Sequence, residues 1–456
     1  MRLSGGQVES LWDEVLAVEV RELPEDLAAL DVLLRDPGLL EPISASWRQR
    51  AVAHGRPTIS MATYVRLMVV KQRTGWGYET LVREVSDSIH LRRFCLIALG
   101  EGVPDESTVR KLTRRLGGAV VDELTRCVIA KAQRETRFRA RAVRIDSTVV
   151  EADVRYPSDA ALSLDGARRL AREARKLAGL VGEGAGRVRD RTRALGRRLR
   201  QISRTMSRRA GERKAEVLRL TEEAGGLLAR SVREARRLTV GARRRARGRG
   251  ARAKLAAIER LEQMADRAER VVGQIKLRLA GEPIPDRLVS MFDPDARPIR
   301  KGKLGKPNEF GYVAQICEVT ENTKPGARGF IVPASIKLGS PKEDTLLPGT
   351  ITELERLELR PREVALDGGF EKGPTTEALQ PLAPDRVFIA GRQQPGSKRT
   401  QRRLARYRTG AEGRISHLKR SHGLRRSRLK GEHGMQTWTA WSLLTYNLDT
   451  LAIRTS

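Results

Sequence analysis

The chain has 456 residues, enough for two or three domains and at least one sizeable core. It carries 88 Lys and Arg against 56 Asp and Glu, a formal charge of +32. Such an excess repels itself unless a polyanion is near; nucleic acid is the usual partner and an anionic membrane surface the rival. No run approaches the roughly 18 apolar residues of a membrane span. Residues 1–20 hold acids where a secretory signal would hold an apolar stretch. Cys95, Cys127 and Cys317 lie far apart without CxxC spacing, so they read as reduced, mostly buried side chains. The expectation is a cytoplasmic protein with no membrane partner, nucleoid-associated when bound to DNA.

Residues 1–138 read as a helical domain. Ser60 is placed to cap a helix through Tyr64, Leu67, Met68 and Val70, which Gly75-Trp76-Gly77 ends. A second helix runs from Tyr78 to about Val85. A third begins after Pro104-Asp105-Glu106-Ser107, stops at Gly117-Gly118, and shows Arg110, Lys111, Arg114 and Arg115 on its outer surface. Helix, glycine turn, helix and basic helix fit a helix-turn-helix-like module with those four cations on DNA. An ordinary bundle with a solvated basic face fits as well.

Residues 141–150 change to period two. Val143, Ile145 and Val149 share one face of a strand and leave Asp146 on the other. Strands disfavour Asp in their middle, so an acid placed against local preference hints at function. The region 161–282 differs again. Between 161 and 280 there is no proline and no aromatic residue, and 34 Lys and Arg face 13 Asp and Glu, a surplus of 21. Leu255, Ile258, Leu261, Ala265, Ala268, Val272, Ile275 and Leu279 recur at steps of three and four, a coiled-coil-like seam. Glycines at 182, 184 and 186, at 225 and 226, and between 241 and 250 suggest hairpin turns. The segment reads as a basic helical insertion able to track phosphates, with arginine enrichment from a GC-rich genome as the bland alternative.

Residues 139–160 and 283–456 form the remaining α/β domain. The expected strands are Arg287–Phe292, Tyr312–Val319, Gly329–Ile336, Glu363–Asp367 and Arg386–Ala390, with a helix near Lys342–Leu357 and a mainly helical end over 400–454. Asp367 follows Val364-Ala365-Leu366 and precedes Gly368-Gly369. A carboxylate at the C-terminal end of a strand suits a site at a sheet edge, although Asp-Gly is also a common hairpin turn. On the last helix Arg408, Glu412 and Lys419 fall within about 40° of one face. That spacing makes an ordinary surface ion pair, or a metal-binding acid between phosphate-gripping cations. Three carboxylates on separate elements are what two-metal phosphodiester chemistry requires, with no His or Cys needed. His417, His422 and His433 read as polar surface residues beside DNA. Asp153 and Asp159 read as turn and cap residues, and Glu309 as a strand-entry residue.

Taken together these blocks resemble the DDE-class transposases of bacterial insertion sequences, the InsH-like group. Arg144-Ile145-Asp146-Ser147-Thr148-Val149-Val150-Glu151-Ala152 with Tyr156-Pro157-Ser158-Asp159 is similar to the first-Asp motif. Phe292-Asp293-Pro294, Arg297-Pro298-Ile299, Lys301-Gly302-Lys303 and Glu309-Phe310-Gly311-Tyr312 resemble the second and third strands. Leu366-Asp367-Gly368-Gly369-Phe370 resembles the second-Asp motif. Arg408, Glu412 and Lys419 match the Y-(2)-R-(3)-E-(6)-K signature, except that Ala405 stands at the tyrosine position and Tyr407 is displaced by two. Gly423-Leu424-Arg425-Arg426 and Tyr446-Asn447-Leu448 resemble the C-terminal ending.

The resemblance implies an α/β, RNase-H-like mixed sheet with an N-terminal helical domain and the insertion between its first and second strands. It implies that Asp146, Asp367 and Glu412 are catalytic and hold two Mg2+ ions, Mn2+ being able to substitute, with Arg408 and Lys419 on the DNA backbone. The partners implied are double-stranded DNA, as terminal inverted repeats and target, and a second copy of the chain on that DNA. The alternatives are a DNA-binding element remnant without catalysis, and a host nuclease or resolvase of the same fold.

Overall fold

The computed structural model describes residues 15–50, 59–182, 186–206, 213–303, 306–393 and 395–455. The chain divides into two compact units, Met1–Asp153 with Gly311–Ser456, and Val154–Phe310. Among the described residues no helix is long and apolar enough to cross a membrane, and the three cysteines are free.

In the first unit the helices come first: α1 (Val18–Arg21), α2 (Glu25–Leu34), α3 (Pro37–Arg50), α4 (Met61–Thr74), α5 (Tyr78–Asp87), α6 (Ile89–Phe94), α7 (Glu106–Leu116) and α8 (Gly118–Glu135). The expected cap is present, with the Ser60 hydroxyl accepting from the Thr63 amide at 3.0 Å. Gly75, at φ 71°, closes α4. Strand β1 (Ala142–Ala152) follows.

The second unit opens with α9 (Asp159–Val181), α10 (Thr192–Met206), α11 (Arg213–Arg245) and α12 (Ala251–Ala280), and continues into β2 (Arg297–Lys303) and the start of β3 (Lys306–Thr320). Helix α9 packs on α11 and α12, and α10 packs on α9 and α11. From the expected seam, Ile258, Leu261, Ala265, Ala268 and Ile275 are buried, whereas Leu255 and Leu279 are exposed at its ends. The expected turn at 225–226 is not there, because α11 runs through both glycines. Gly225 instead admits a neighbour: a Cβ on it would stand 3.1 Å from Ile275 Cδ1. Gly248 and Gly250, at φ 66° and 81°, make the turn between α11 and α12; Gly184 lies outside the described residues.

The expected strand Arg287–Phe292 is also absent. Its apolar residues Leu288, Val289 and Met291 are buried, but helix side chains rather than a neighbouring strand satisfy the backbone. Gln274 accepts from the Leu288 amide at 2.6 Å and donates to the Leu288 carbonyl at 3.3 Å. Arg267 donates to the Met291 carbonyl at 3.1 Å. Asp159 is more than a cap residue: nearly fully buried, its carboxylate holds Arg278 at 2.5 Å and Arg287 at 3.0 Å.

The first unit is completed by β4 (Phe330–Ile331), β5 (Ser335–Leu338), a 3-10 turn (Glu343–Leu346), α13 (Leu347–Arg356), β6 (Glu363–Leu366), α14 (Lys372–Leu379), β7 (Arg386–Ile389), α15 (Lys398–Ser421), β8 (Arg426–Ser427) and α16 (Gly431–Thr455). The single strand expected at 329–336 is two, interrupted around Pro333, which lacks an amide to donate. Its sheet is mixed and open, in the order β3-β1-β6-β7, with β4 and β5 on β3 and β8 on β1. β1 runs antiparallel to β3 and parallel to β6. One face of the sheet, with Val143, Ile145, Val364 and Leu366, shares a core with α2–α5, α8, α13 and α16. Within it Tyr64 and Trp441 pack edge to face at 5.7 Å. The other face, with Ala142 and Ala365, lies under Leu404 and Tyr407 of α15.

Candidate active site

The period-two pattern of β1 sends Val143 and Ile145 into the core, buries Val149 as well, and turns Ala142, Arg144 and Asp146 toward α15. In the parallel ladder Ile145 is opposite Leu366. Extending that register by one residue sets Asp146 beside Asp367, the first residue beyond β6. The third element is α15, whose amide end is capped by Ser397, accepting from Thr400 at 3.2 Å. Leu404, Tyr407, Ala411 and Leu418 form its buried stripe, and Arg408 and Glu412 flank it.

The Arg408 guanidinium joins two of the acids. Its Nη1 donates to Asp367 Oδ1 at 2.7 Å, and its Nη2 to Glu412 Oε1 at 2.7 Å. Exposure grades across the cluster: Asp146 is 8% exposed, and the side chains of Asp367 and Glu412 are 41% and 66% exposed. Burial, then the charge of Asp367, push Asp146 up to about 6; Glu412 adds to this, and the Ser147 amide and Arg408 oppose it. The structure therefore gathers Asp146, Asp367, Glu412 and Arg408 into one electrostatic cluster. Among the described residues, no group of three or more His, Cys, Asp or Glu is arranged to hold a metal ion as it stands. Arg408 is the cation between Asp367 and Glu412.

Beneath this cluster is a buried network that sequence reasoning missed. Arg144 and Glu318 are register partners on β1 and β3, both nearly fully buried and 2.6 Å apart. Glu318 also accepts from Arg414 at 2.9 Å and from the Gly329 amide at 3.0 Å. Arg144 donates to the Tyr407 carbonyl at 3.3 Å and to the Ala327 carbonyl at 2.8 Å. Arg144 and Arg414 thus tie α15 to β1, the strand of Asp146, and to its neighbour β3. Two opposite charges flanked by apolar residues, near the start of β1 and the end of β3, were the available signal. Tyr407, the displaced tyrosine, is buried; its hydroxyl lies 2.6 Å from Thr320 Oγ1.

With that geometry in hand, comparison with known proteins bears on the helical part of the same unit. Residues 21–115 match the family described as Transposase domain (DUF772). No curated protein and no solved structure matches the chain. The match supports a transposase function in general, with DNA as the substrate class.

The last helix of the matched transposase domain is α7, which carries the four cations expected on DNA. Arg110 is bound to Glu106, at 3.1 and 3.2 Å, and the Arg115 guanidinium lies over the Trp47 ring at 5.0 Å. Lys111 and Arg114 are exposed. Lys419 is half-buried, about two turns beyond Glu412 on α15. The histidines are not all surface residues. His422 is 3% exposed, its Nε2 is 3.3 Å from that of His417, and it packs edge to face on Tyr446. Burial first, then His417 and nearby arginines, hold it down at about 3, so it is neutral.

Proposed function

We propose that the chain is a DDE-class transposase with an RNase-H-like catalytic sheet, in which Asp146, Asp367 and Glu412 form the catalytic carboxylate set. The observation that carries this is one arginine bonded to acids at the end of β6 and on α15, with a third acid on β1 feeling the charges of all three, in a unit whose helices match a transposase domain. The donor set suits the cofactor: carboxylate oxygens are the hard ligands Mg2+ takes, and few are needed because the ion keeps several waters. Asp146 and Asp367 would hold both ions and Glu412 would complete the set. Bound Mg2+ activates an attacking oxygen and stabilises a leaving one in phosphodiester displacement.

The protein's own part is to hold these acids in place. Asp146 is fixed by the Ser147 amide at 2.8 Å, and Glu412 by an α15 pinned through Arg144 and Arg414. Arg408 and Lys419 would take the DNA backbone beside the acids. Water attack at the element end frees a 3′ hydroxyl, and that hydroxyl then attacks target DNA. The test is nicking of a terminal-repeat duplex in Mg2+, with Asp146→Asn, Asp367→Asn and Glu412→Gln. Loss of nicking in all three, with repeat binding retained within a few-fold, is the expected result; nicking by any of them at the parent rate contradicts it.

A further inference from the structure

The Arg408 guanidinium bonds two of the carboxylates that, on the reading above, would hold a divalent ion. The guanidinium bonds Asp367 Oδ1 and Glu412 Oε1 at 2.7 Å each, and its side chain is 13% exposed against 66% for Glu412. It is held in the cluster while the acid it contacts faces solvent. Asp146 feels the charges of both Asp367 and Glu412 in addition to its burial. Three acids so close repel one another, and Arg408 is bonded to two of them. Its single charge relieves the repulsion only while it stays between two of them.

Building on the catalytic reading above, we infer that Arg408 is an internal counter-ion that occupies the metal-binding oxygens in the free protein and is released to DNA phosphate when substrate arrives. An ion taking Asp367 Oδ1 and Glu412 Oε1 would need the lone pairs that Arg408 holds, and its charge repels a guanidinium set between the same two carboxylates, so ion loading and those two bonds oppose each other. Moved out alone, Arg408 would lose two charge-assisted hydrogen bonds. A phosphodiester next to the cluster offers it a replacement anion, and arginine pairs with phosphate in the same forked geometry as with carboxylate. Metal and DNA therefore bind cooperatively, each removing part of the cost of the other, and the coupling runs through one side chain. Its consequence is that the protein off DNA holds divalent ions weakly.

The test is Mn2+ affinity of the full-length protein by calorimetry, alone and with a short mixed-sequence DNA duplex, for the parent, Arg408→Gln, Asp146→Asn and Asp367→Asn. Arg408→Gln is expected to bind Mn2+ about tenfold more tightly than the parent without DNA, and to lose most of the affinity gain that DNA gives the parent. If Arg408→Gln binds Mn2+ no more tightly than the parent, or if DNA still raises its affinity as in the parent, the inference is overturned while the metal site stands. If neither Asp146→Asn nor Asp367→Asn diminishes Mn2+ binding, the catalytic reading itself fails, and this inference with it.

Discussion

Gly410 of α15 lies so close to Arg144 of β1 that a Cβ on it would stand 1.9 Å from the guanidinium Nη1. That approach sets how near the helix carrying Arg408 and Glu412 comes to the strand carrying Asp146. The guanidinium cannot step aside cheaply, since Glu318 and the Ala327 and Tyr407 carbonyls hold it. Gly410→Ala should therefore destabilise the protein by about 1–3 kcal/mol in denaturant unfolding, in spite of the better helix propensity of alanine. A stability equal to the parent would show that the helix can move away freely.

Glu318 answers two arginines at once, Arg144 buried and Arg414 half-buried. Glu318→Gln removes the charge they share and leaves both guanidinium groups poorly compensated, so a loss of roughly 3 kcal/mol is expected by denaturant unfolding. An unchanged midpoint would mean that the arginines find water or other acceptors.

Stability should also depend on Asp146 in a definite direction. Its carboxyl titrates at about 6 in the folded protein against about 3.9 when unfolded. The folded state thus holds the proton more tightly. Stability is full below about pH 4, falls as pH rises from about 4 to 6, and levels off above. Asp146→Asn should lack that fall and exceed the parent at pH 7–8 by on the order of 2–3 kcal/mol, in chelator so that no divalent ion intervenes. Parallel stability curves for the two proteins would contradict this.

The turn between α11 and α12 is the most basic stretch of the second unit. Arg244, Arg247, Arg249 and Arg252 are exposed there, while Arg236 and Arg243 are engaged by Asp266, Glu269 and Glu262. If that tip lies on DNA, changing the four to Gln lowers the slope of log affinity against log salt by up to about 0.9 for each phosphate no longer neutralised. An unchanged slope would make the unit a scaffold with solvated arginines.

The sequence made the site's ingredients legible because each obeys a short-range rule. Period two placed Asp146 opposite the core-facing valines, a strand end exposed Asp367, and the spacing of four put Arg408 and Glu412 on one side of a helix. What joins them was not legible. Arg144 and Glu318 are 174 residues apart in sequence and meet only through antiparallel register. Gly410 reads as an ordinary helix-weakening residue until β1 lies beneath it. The same limit explains the strand misread at 287–292, where Gln274 and Arg267 supply from helix α12 the bonds that a neighbouring strand would otherwise give. Gly225 and Gly226 read as a turn for a related reason, since the tight approach of Ile275 is a tertiary fact.

Metal ligation by the carboxylate cluster is tested most directly by exchanging one ligand for sulfur. Mg2+ binds thiolate poorly, whereas Mn2+ accepts softer ligands. Asp367→Cys, assayed for nicking of a terminal-repeat duplex, should be inactive in Mg2+ and recover activity in Mn2+, with Asp367→Ala inactive in both. Equal activity of Asp367→Cys and the parent in Mg2+, or recovery of Asp367→Ala in Mn2+, would show that the Asp367 side chain does not hold the catalytic ion.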